Sequence, residues 1–123
     1  MNKLKLFTVA GCLAFSQSVL AGSLVCSGTV EDIAYHSNNK LMVRLSSMNY
    51  GVFICDLSTE WVITGAEGRI TAPETCQSIL SMLLTARSTN QQINRLHLDG
   101  DTVPETCGEF TPWSSVFLRY LHF

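Results

Sequence analysis

Positive charge is the first thing this chain is short of. Only 8 of its 123 residues are lysine or arginine, against 10 aspartates and glutamates. That leaves no basic face of the kind that nucleic acid or an anionic membrane surface requires, so neither partner is expected. Long apolar runs are missing as well. No stretch reaches the roughly 20 residues a bilayer-crossing helix needs, so no membrane span is expected. No Gly-x-Ser-x-Gly elbow presents a serine nucleophile, and no other activated nucleophile or carboxylate pair stands out from the ordinary surface. The three histidines, His36, His97 and His122, fall into no zinc-ligand spacing. The acidic stretch Asp99-Gly100-Asp101, with Glu105 and Glu109 beyond it, lacks the EF-hand spacing and reads as a solvated turn. The expectation is therefore a protein that is not an enzyme, with no catalytic residue, cofactor or metal.

Cysteine is present and informative. Met1-Asn2-Lys3-Leu4-Lys5 places two positive charges ahead of an apolar run from Leu6 to Phe15, and Val19-Leu20-Ala21 offers a signal-peptidase site. Residues 1–21 are expected to be an export signal cut after Ala21, with residues 22–123 forming a single domain. Val9-Ala10-Gly11-Cys12 resembles a lipoprotein box, but only six residues separate Lys5 from Cys12 and a better site lies downstream. Cys12 then leaves with the signal. Removing residues 1–21 leaves 102 residues with six basic and ten acidic side chains. Four cysteines remain, Cys26, Cys55, Cys76 and Cys107, which is an even set in a small exported domain and so a disulfide framework. Four thiols allow three connectivities. The location expected is periplasmic or secreted.

Hydrophobic periodicity supplies the elements. Residues 24–35 read as a strand whose alternation breaks between Val30 and Ile33, so a bulge or bend is expected near Gly28 to Asp32. His36-Ser37-Asn38-Asn39 is a turn, and Lys40 to Ser46 alternates Leu41, Val43 and Leu45 on one face. Tyr50 to Cys55 is apolar without a clear period, and Glu60 to Thr64 reads as the next strand. Thr71-Ala72-Pro73-Glu74 has the form of a capping box. The helix it opens, about residues 72–88, should bury Cys76, Ile79, Leu80, Leu83 and Ala86. Ile93 to Leu98 and Ser115 to Phe123 are strands. The result is a mainly β chain with one helix, in the order β-β-β-α-β-β. That is the order of a five-stranded OB-like barrel, and a bent first strand suits a fold in which that strand serves both sheets.

Three stretches carry a resemblance: Cys55-x5-Trp61-Val62, then Leu80-Ser81-Met82-Leu83-Leu84-Thr85-Ala86, then Cys107 followed by Trp113 ahead of a last strand. They resemble a group of small, mostly uncharacterised secreted proteins of Gram-negative bacteria. More distantly, the layout is similar to the OB-fold B subunits of AB5 toxins of the cholera, subtilase and pertussis types. The resemblance implies a bridge between Cys55 and Cys107, with Cys26 and Cys76 as an additional pair. It also implies a binding role and assembly into a homo-oligomeric ring. No receptor-binding residue of a toxin maps onto this sequence.

Aromatic side chains are the remaining means of binding, since they stack on sugar rings and anchor protein partners. Trp61, Phe117 and Tyr120 lie in expected strands and should fill the interior. Tyr50 and Trp113 lie in expected loops and are the candidate ligand-binding residues. The function expected is a binding module for a glycan or a protein partner. The alternative is a periplasmic inhibitor or immunity protein that blocks an enzyme with the acidic Asp99 to Glu109 loop.

Overall fold

The computed structural model describes residues 22–123. The expected export signal, residues 1–21, and Cys12 within it lie outside them. In chain order the elements are β1 (Gly22–Gly28), β2 (Val30–Tyr35), β3 (Lys40–Leu45), β4 (Val52–Asp56), α1 (Pro73–Ser88), β5 (Ile93–Gly100) and β6 (Phe117–His122). They form two three-stranded antiparallel sheets, ordered β1-β5-β6 and β2-β3-β4.

The bend expected in the first strand is where the chain passes from one sheet to the other. β1 ends at Gly28 with φ +140°, a conformation open to glycine. A Cβ there would lie 2.3 Å from Ser46 Oγ, the same oxygen that accepts a hydrogen bond from the Thr29 amide at 3.1 Å. The register slips on both sides of this point, between Cys26 and Gly28 and between Val30 and Asp32. The two sheets touch again at one parallel bridge, Phe53 to Ser115, where the Phe53 amide donates to Ser114 O and the Val116 amide to Phe53 O, each at 2.9 Å. One bridge does not close a ladder. The architecture is mainly β with one helix, but six strands in two sheets replace the expected five-stranded closed barrel.

Leu41, Val43 and Leu45 point inward from β3, as their alternation requires. β4 is buried along its whole length, so both of its faces are covered and its sequence shows no alternation. That burial explains the misplaced third strand. The strand lies at Val52–Asp56, whereas Glu60 to Thr64 contributes only an isolated bridge between Trp61 and Thr71. The same bridge removes the expected capping box. The Thr71 backbone is committed to Trp61 and its side chain is buried, so Ala72 becomes the N-cap with no side-chain hydrogen bond. Pro73 still fits the first turn, where its missing N–H is harmless. α1 buries Cys76, Ile79, Leu83 and Ala86, with Leu80 partly covered.

Both disulfides exist, but neither pairing follows the resemblance. Cys26 bonds Cys107, with Cα atoms 5.8 Å apart, and Cys55 bonds Cys76, with Cα atoms 5.7 Å apart. The helix packs its first turn over β4, which brings Cys76 to Cys55. The long loop after β5 folds back over β1, where Cys107 Sγ also lies 3.6 Å from Val25 O.

Candidate binding site: the groove between Tyr50 and Trp113

Trp113 sits in the connection between β5 and β6, and that connection is tied down on both sides of it. Upstream, Cys107 is bonded to β1, and Phe110 is buried with its amide donating to Asn49 Oδ1 while Asn49 Nδ2 donates to Phe110 O, both at 2.9 Å. Downstream, Ser114 Oγ donates to Thr111 O at 2.8 Å, and Ser114 and Val116 are held by Phe53. Between these anchors Trp113 takes φ +64°, the left-handed region that a bulky side chain occupies only at a cost of order 1 kcal/mol.

This strained backbone turns the indole outward. Trp113 is 66% exposed. One face stacks on Phe53, with ring centroids 6.1 Å apart and planes at 26°, and His36 meets it edge-on at 5.7 Å. Tyr50, 47% exposed, stands across from it on the β3–β4 connection. Together with Met42, Gly51 and Pro112 they line an open groove of about 220 Å³. Gly51 keeps the floor clear, since a Cβ there would lie 2.8 Å from Met42 Sδ. The two aromatic residues proposed from loop placement are thus on one surface feature. Met42 lines it with them, while Phe53 and His36 pack against the Trp113 ring. None of these three is among the ligand-binding residues expected from the sequence.

A second cluster surrounds Asp99, which is not the solvated turn residue the sequence suggests. Its side chain is only 4% exposed. Arg69 Nη1 donates to it at 2.6 Å, and Arg119 donates through Nε and Nη2 at 2.9 and 3.0 Å. Burial opposes its charge, yet the hydrogen bonds and charge of Arg119 outweigh burial and hold the carboxyl below the usual aspartate range. His97 Nε2 lies 3.6 Å from Asp99 Oδ1 and 2.6 Å from Ser23 Oγ. Burial and the surrounding arginines, Arg119 foremost, push the pKa of this imidazole down. Serine, histidine and aspartate together invite comparison with a hydrolytic triad. The geometry is wrong for one: a triad places serine and acid on opposite ring nitrogens, whereas here both face Nε2 and Nδ1 is buried without a partner. The cluster ties the loop before α1 to β5 and β6.

The other sequence candidates divide. Trp61 is buried and its indole N–H donates to Val116 O at 2.9 Å. Phe117 is only partly covered and Tyr120 is exposed, its ring edge-on to His97 at 5.2 Å, because both belong to the outer face of their sheet. Among the described residues, no three histidine, cysteine, aspartate or glutamate side chains cluster as a metal site would. Comparison of the chain with protein-family models, with curated proteins and with solved structures returns no match.

Proposed function

We propose that this protein is an exported, non-enzymatic binding module whose Tyr50–Trp113 groove receives a glycan or a segment of a protein partner. One observation carries the reading: Trp113 is exposed and held in a left-handed backbone over an apolar groove, beside a second exposed aromatic. Strained conformations persist where the surroundings enforce them, and they gather at ligand contacts. Two disulfides suit a periplasmic or extracellular location. Ring assembly of the toxin B-subunit kind belongs to the same reading and rests on the sequence resemblance alone. Binding of wild type, Trp113→Ala and Tyr50→Ala on a glycan array and in a pull-down from envelope extract tests it. Both variants should lose the signal with an unchanged melting temperature; retained binding in both would contradict it.

The inhibitor or immunity reading keeps a narrower footing, the exposed Glu105 and Glu109 on the loop that Cys107 tethers. Asp99 drops out of it, because its carboxylate is turned inward to Arg69 and Arg119.

A further inference from the structure

Every arginine among the described residues donates to an oxygen: Arg44 to Asp32, Arg69 and Arg119 to Asp99, Arg87 to the carbonyls of Val30 and Glu31, and Arg95 to Tyr120. Lys40 does not. Its ammonium has no carboxylate within salt-bridge distance and lies over two rings, 5.6 Å from the centroid of Phe53 and 5.5 Å from that of Trp61. The cross-strand partner of Lys40 is Asp56, and a lysine opposite an aspartate would ordinarily pair with it. Here Asp56 Oδ1 is taken by the Ser58 amide at 2.7 Å, the Ser58 hydroxyl at 2.8 Å and the Thr59 amide at 3.0 Å. Among the described residues Lys40 is thus the cation without an oxygen partner, in a chain of net acidic charge.

Lys40 lines a pocket of about 320 Å³ together with residues 61–64, Thr102 and Ser115. The walls are fixed from behind. The Asp101 amide donates to Thr64 O at 3.1 Å, and the Thr102 hydroxyl donates to Ser115 O at 3.1 Å. Gly65, at φ +89°, lets the Asp101 turn approach so closely that a Cβ would lie 2.6 Å from the Asp101 nitrogen. The hydroxyls of Thr64 and Ser115 have no partner among the described residues, and the Thr102 oxygen keeps its lone pairs for a donor. A lysine, three hydroxyl-bearing residues and an apolar wall thus line a space of ligand size.

We propose that this pocket is a second binding site, for a small hydroxylated carboxylate of the sugar-acid class. The ligand's carboxylate pairs with Lys40 Nζ, its hydroxyls exchange hydrogen bonds with Thr64, Thr102 and Ser115, and its apolar ring face lies toward Trp61 and Val62. Trp113 and Tyr50 do not line the pocket, so the site stands or falls separately from the groove.

Nitrogen-15-labelled, oxidised protein titrated with sodium glucuronate at fixed ionic strength tests the proposal, with glucose and sodium sulfate as parallel arms. Saturable shifts of the Thr64, Thr102 and Ser115 amides with glucuronate are expected. Glucose should give little, because it lacks the carboxylate, and sulfate should bind more weakly, because it lacks the ring and hydroxyls. Lys40→Gln should weaken glucuronate binding about tenfold or more, Lys40→Arg should retain most of it, and Trp113→Ala should leave it unchanged. Absence of saturable shifts, an equal response to glucose or to sulfate, or full affinity in Lys40→Gln would overturn the proposal. The amide spectrum of each variant shows whether it is folded. Should Lys40→Gln fail to fold, Thr102→Val takes its place, with the same loss expected and full affinity again overturning the site.

Discussion

Asp99 shows how single residues here depend on partners far away in the chain. Arg69 lies 30 positions before it and Arg119 lies 20 after it, so local sequence could offer only an acidic turn. Asp99→Asn should destabilise the protein by about 2–3 kcal/mol, since it removes the charge that two guanidinium groups surround. Its carboxyl titrates below the ordinary value in the folded state. The stability it contributes is therefore present above the unfolded pKa of about 4 and lost as pH falls through the lower folded value. His97 acts in the same direction at higher pH. Its folded pKa is depressed, so below about 6.5 the unfolded chain takes up a proton that the folded protein refuses, and stability falls. Urea unfolding from pH 7 to pH 3 should show both losses. His97→Gln should remove the first, and Asp99→Asn should reduce the second, to which Asp56 also contributes because hydrogen bonds from Ser58 and Thr59 hold its carboxyl low against burial; identical profiles in all three proteins would contradict this. Trp113 was legible where Asp99 was not, because a lone tryptophan beside proline in a loop is a local feature. Its strained φ, set by anchors at Phe53 and Asn49, was not.

Among the elements, α1 was the most legible, since its apolar residues recur with the helical period. Leu83 is fully buried on the face so defined, and Gln77 is exposed. Leu83→Ala should cost about 2–5 kcal/mol and Gln77→Ala close to nothing, measured by urea unfolding. β4 was less legible because burial on both faces erases the period of two, and the more conspicuous Trp61-Val62-Ile63 carries the strand pattern instead. Disulfide pairing was illegible in principle. It depends on which elements pack together, and spacing along the chain does not encode that. The Cys26–Cys107 bridge spans 81 residues and Cys55–Cys76 spans 21, so loop-closure entropy alone assigns them about 4.5 and 3.3 kcal/mol. Non-reduced peptide mapping should join Cys26 to Cys107, and a Cys26–Cys76 peptide would contradict the fold. Replacing Cys26 and Cys107 together by alanine should cost more stability than replacing the other pair. It should also weaken groove binding, because Trp113 rides on the loop that this bridge anchors.

At the scale of the whole molecule, the two sheets are joined by the bend between β1 and β2 and meet again at a single bridge at Phe53. That junction is where function is proposed to gather. Phe53 stacks under Trp113 on the groove side and lies under Lys40 on the pocket side. A mainly β chain with one helix was readable from the sequence, whereas six strands in two separate sheets were not, because the break at Gly28 splits the expected first strand and β4 shows no alternation. The groove between Tyr50 and Trp113 is the proposed seat of the partner. The two tryptophans make it directly measurable, since Trp61 is buried with its indole N–H bonded to Val116 and Trp113 is open to solvent. In a nitrogen-15 titration with the strongest binder from the glycan array or pull-down, the Trp113 indole resonance should shift and saturate with the Tyr50 and Gly51 amides, while that of Trp61 stays in place. A bound partner that leaves the Trp113 indole unmoved would contradict the account.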